Sequence, residues 1–168
     1  MNEGFVLDAA CFLVGAAQGI IENDKGNRSM LIHPSRLIGE QNEVRMQIEL
    51  ELASWFKDLE EREGERFNET RNLIGQAYDN LASTYPEIDD FDEILKVIIN
   101  EVKTDYSVEE INSGKTATDK NIDWNSRYAF IIVAGQAMDR GTTVNGLTVT
   151  YLSRSMSMQN DTQMQRAR

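Results

Sequence analysis

The sequence predicts an α/β domain built on a parallel sheet, and three observations predict it. Two short apolar runs, Met30 to His33 and Phe130 to Ala134, carry no acid or lysine and suit strands buried on both faces. The long segment between them has helical periodicity. After Asp105 the period changes, and further runs rich in β-branched and aromatic residues follow, punctuated by Gly135, Gly141 and Gly146.

The elements follow in order. Residues 5 to 22 have helix-forming composition and stop at Asn23-Asp24-Lys25-Gly26-Asn27, a cluster of turn formers. Met30 to His33 then reads as a strand closed by Pro34, which cannot extend a central ladder, and it empties into the loop His33-Pro34-Ser35-Arg36. Val44, Ile48, Leu52, Trp55 and Leu59 recur at helical spacing, which makes them one apolar face and places Trp55 in the core. A second helix is predicted from Phe67, Ile74, Ala77, Tyr78 and Leu81, ending before Pro86. A third is predicted from Phe91, Leu95, Ile98 and Val102, opened by acids that suit a helix N-terminus. Tyr106 to Ile111 reads as a modest strand, Tyr128 to Ala134 as a buried one and Leu147 to Leu152 as another. The expected domain is single, residues 1–168, with the helical segment at about 41–104 inserted between strands.

Charge is distributed unevenly. The net charge is −11, but residues 40 to 110 hold 20 of the 28 acids and 7 of the 17 bases, a local balance of −13 that leaves +2 elsewhere. The acid therefore belongs to the helical segment, where a charge block marks a solvated face. The remainder is not too acidic to meet phosphates. The single cysteine, Cys11, excludes a disulfide framework, and a reducing, cytoplasmic setting is expected. Phe5 to Ile21 contains Asp8 and Gln18 and lacks a basic segment before it, so neither a membrane span nor a signal peptide is expected. His33, the only histidine, excludes a His/Cys zinc cluster and is expected to close the first strand.

The C-terminal quarter carries the chemistry. A buried strand runs into Gly135-Gln136-Ala137-Met138-Asp139-Arg140-Gly141-Thr142-Thr143. The strand Leu147 to Leu152 and then Asp161-Thr162-Gln163-Met164-Gln165-Arg166-Ala167-Arg168 follow. This order of strand, Asp-Arg-Gly turn, strand and Gln/Arg-rich segment resembles the fifth and sixth motifs of superfamily-two helicases. Within that superfamily it is similar to the Z1 (Z-one) domain family, found in bacterial proteins often labelled endonucleases. Upstream, Ser29-Met30-Leu31-Ile32-His33-Pro34-Ser35-Arg36 is similar to the family's strand and His-x-Ser-Arg loop. The acidic helices match weakly. The sixth motif departs from the wider helicase pattern, with Gln165 and Arg168 three apart and no longer Gly-Arg tail.

The resemblance implies a RecA-like (P-loop NTPase-like) helicase C-terminal lobe, a fragment of a larger protein. Its first lobe, absent here, would hold most of the ATP and Mg and would be this lobe's partner. Phosphoryl transfer needs positive charge at the γ-phosphate. Arg168 is the first candidate for that arginine finger and Arg166 the second, with Gln165 beside them. Gly135, Asp139, Arg140 and Gly141 would line the nucleotide cleft and couple it to nucleic acid. Ser35, Arg36, Thr142 and Thr143, in loops at strand ends, would hold phosphates of DNA. The implied setting is DNA restriction or defence.

Two other patterns carry less. Ser113-Gly114-Lys115-Thr116 ends like a phosphate loop, but Glu109 stands where the pattern demands Gly, and Thr118 to Asn121 open no apolar-periodic helix. Pro86-Glu87 with Glu101-Val102-Lys103 echoes a nuclease metal site, which needs converging carboxylates. A metal-dependent endonuclease and a non-catalytic interaction module built on the acidic helices therefore stand as alternatives. Trp124, beside Asn125 and Arg127, is open between core and base stacking.

Overall fold

A computed structural model describes residues 3–33, 38–111, 122–134 and 143–152. The elements in order are α1 (Glu3–Ile21), β1 (Arg28–His33), α2 (Ile38–Glu61), α3 (Glu65–Thr84), α4 (Phe91–Asn100), β2 (Tyr106–Ile111), β3 (Ala129–Ala134) and β4 (Leu147–Leu152). The four strands form one sheet in the order β2-β3-β1-β4, and all three pairings are parallel. The α/β parallel-sheet expectation is met, and the arrangement is compatible with a RecA-like lobe.

Side-chain alternation divides the sheet into two faces. Met30, Ile32, Val108, Ala129, Ile131 and Val133 share the main core with all four helices. Leu31, Ile111, Phe130, Ile132 and Ala134 form a second cluster, packed by Ile122, Trp124, Val144 and Leu147. β3 is therefore buried along its whole length, as an uncharged interior parallel strand requires. Parallel crossovers are right-handed. The β1 to β2 connection moves one way along the sheet and carries α2, α3 and α4, whereas the β2 to β3 and β3 to β4 connections move the other way. Their described ends agree with that rule, because Trp124 and Val144 both lie on the second face.

The three helices between β1 and β2 bury the faces expected of them. Ile48, Leu52, Trp55 and Leu59 of α2 are buried, with Phe56 beside them, and Val44 packs at the margin. Ile74 and Ala77 anchor α3, which stops at Tyr85-Pro86. α4 is capped by Asp90, whose carboxylate accepts the Asp92 N–H at 3.0 Å. One expectation needs correcting. The third helix does not run through Val102: it ends at Asn100, and Val102–Thr104 form a 3₁₀ turn that still delivers Val102 into the core.

α1 needs a correction too. By length and composition Gly4–Ile21 could cross a membrane, with a mean hydropathy of 1.8 despite Asp8 and Gln18. Its surroundings account for that apolarity. More than half of this window is buried inside the fold, against α3, α4, β1 and β4. Ala9, Ala10, Ala16 and Ala17 are all buried, and their small size lets neighbouring elements approach from several sides.

Candidate functional site at the carboxyl edge of the sheet

Parallel strands all end on the same edge, and this edge is where open α/β sheets bind ligands. The register makes the alignment concrete. His33 pairs with Leu152, Ile111 with Ala134, and Ile32 lies level with both Val133 and Tyr151. With neighbouring strands about 4.8 Å apart, the four strand ends span on the order of 15 Å. The chain therefore leaves β1 toward Ser35 and Arg36, β3 toward Gly135, Asp139, Arg140, Gly141 and Thr142, and β4 toward Gln165, Arg166 and Arg168, all from one short row.

Those ten residues lie outside the described residues, as does the Ser113-Gly114-Lys115-Thr116 segment that leaves β2. The fold fixes the points from which the chain departs toward them. Of the candidates only Thr143 is described. It is exposed and lies in the segment leading into the amino end of β4, one residue before Val144 packs on the second face.

Other sequence candidates resolve into structure. Trp55 is buried, and its Nε1–H donates to Glu51 Oε1 at 3.0 Å. Trp124 meets Phe130 edge to face, with ring centroids 5.1 Å apart, so it belongs to the second-face cluster. Lys103 pairs with Glu60 of α2, and Glu101 is exposed at the end of α4. Among the described residues, no three His, Cys, Asp or Glu side chains are grouped to hold a metal ion.

The opposite, amino edge holds a cleft that sequence reasoning missed. An open cavity of about 340 Å³ is lined by Ile20, Asn23, Asp24, Asn100, Glu101, Thr104, Asp105 and Tyr128. The C-terminal ends of α1 and α4 both contribute to it, so helix dipoles add to the carboxylates in making it electronegative. Arg28 offsets this charge at one side: its guanidinium donates to Asp24 at 2.9 Å and to the Tyr128 hydroxyl at 3.3 Å. Burial alone would weaken the Arg28 cation, but Tyr128 and Asp24 outweigh it and hold its pKa above the ordinary value. Burial pushes the Tyr128 hydroxyl up, only partly countered by Arg28. Gly19 makes the arrangement possible, since a Cβ there would collide with the Tyr128 hydroxyl and the Arg28 side chain. The only advance signal was the turn-forming run 23–27, because these lining residues are far apart in sequence and share no period.

A family model, the Z1 domain, matches residues 7–168, nearly the whole chain. The chain belongs to the Z1 domain family. No curated protein and no solved structure gives a match. In this Z1 domain the matched span includes all four described strands.

Proposed function

We propose that this Z1 domain is the second RecA-like lobe of a nucleic-acid-dependent ATPase. The observation that carries the reading is the convergence of strand ends. Three separate segments, selected in the sequence for their phosphate-suited residues, issue from neighbouring strands of one parallel sheet on its ligand-binding edge.

In this reading a first lobe elsewhere in the protein holds ATP and Mg, and lobe closure brings Arg168 to the γ-phosphate, with Arg166 the alternative and Gln165 beside them. Gly135 and Gly141 let backbone approach the nucleotide, and Asp139 and Arg140 link its state to bound DNA. Ser35, Arg36 and Thr142 hold phosphates of the track, whereas Thr143, on the approach to the amino end of β4, lies apart from them. The bound nucleotide supplies the reaction, and this lobe supplies charge and closure. A cytoplasmic role in DNA restriction or defence follows from the same reading.

The test is ATP hydrolysis by the protein that carries this domain, with and without single- and double-stranded DNA, for the wild type and Arg168→Ala. DNA-stimulated turnover that falls by about 10³-fold or more in the variant, with nucleotide affinity largely kept, is the expected result. Unchanged turnover in Arg168→Ala and in Arg166→Ala sinks it.

A further inference from the structure

We draw no further inference here: the strongest candidate, the open cleft at the amino edge of the sheet lined by Asp24, Glu101 and Asp105, carries nothing, because Asp24 and Asp105 already pair with Arg28 and Arg127 and a cluster of carboxylates at two helix ends does not by itself name a ligand.

Discussion

Gly146 shows how one residue sets the amino end of a strand. Its φ is +66°, a left-handed conformation that side chains resist, and a Cβ there would overlap the Asn27 carbonyl oxygen. Its own carbonyl accepts the Ser29 N–H at 2.7 Å. Gly146→Ala therefore costs about 2 kcal/mol or more, read as a lowered denaturant midpoint at unchanged m-value. A second node is Gln18, buried at the end of α1. Its amide donates to Glu22 at 2.8 Å and Asp89 at 2.9 Å and accepts the Asp89 N–H at 2.9 Å, joining α1 to the α3–α4 connection. Gln18→Ala leaves the Asp89 N–H without that partner and costs about 1–3 kcal/mol. The bonds from Gln18 and then Tyr85 hold the Glu22 carboxyl below the ordinary glutamate pKa. A depressed acid contributes stability that is present above its unfolded pKa and lost as pH falls through the folded one. The wild-type melting temperature should thus drop more steeply than that of Gln18→Ala between neutral and acid pH, and parallel curves would contradict this account.

At the scale of elements, local chemistry and tertiary packing divide the helices between them. α4 is a ten-residue helix with Asp90 as its cap and Asp92 and Glu93 in its first turn, a start signalled by its own sequence. Asp90→Ala removes the capping acceptor, and a loss of about 1 kcal/mol in chemical denaturation is expected, with Asp90→Asn retaining most of it. α2 and α3 were legible from spacing alone, because Ile48, Leu52 and Leu59, or Ile74 and Ala77, fall on one side of a 3.6-residue period. α1 was legible only as a helix. It is apolar nearly all round, and that composition fits a membrane span as well as a buried core helix. Its neighbours α3, α4, β1 and β4 decide between them. The strands β1 and β3 could be read from uncharged runs. The packing of Trp124 on Phe130 could not, because Phe130 lies on a face whose identity depends on strand order.

At the scale of the whole molecule, charge separates two roles. The block at residues 40 to 110 carries a balance of −13 and belongs to the helices that join β1 to β2. The segments that leave β3 and β4 carry Arg140, Arg166 and Arg168 and belong to the remainder of the chain, whose balance is +2.

What the amino-acid sequence determined by itself was the alternation of helices and strands, the parallel character of the sheet and the family, since these depend on local period and on motifs read along the chain. Only the tertiary structure decided the strand order β2-β3-β1-β4, and with it which segments share an edge. The reason is physical: a strand's own residues record how deeply it is buried, but not which strand lies beside it. For that reason the common level of the strand ends and the cleft at the amino edge became visible only when the chain was folded.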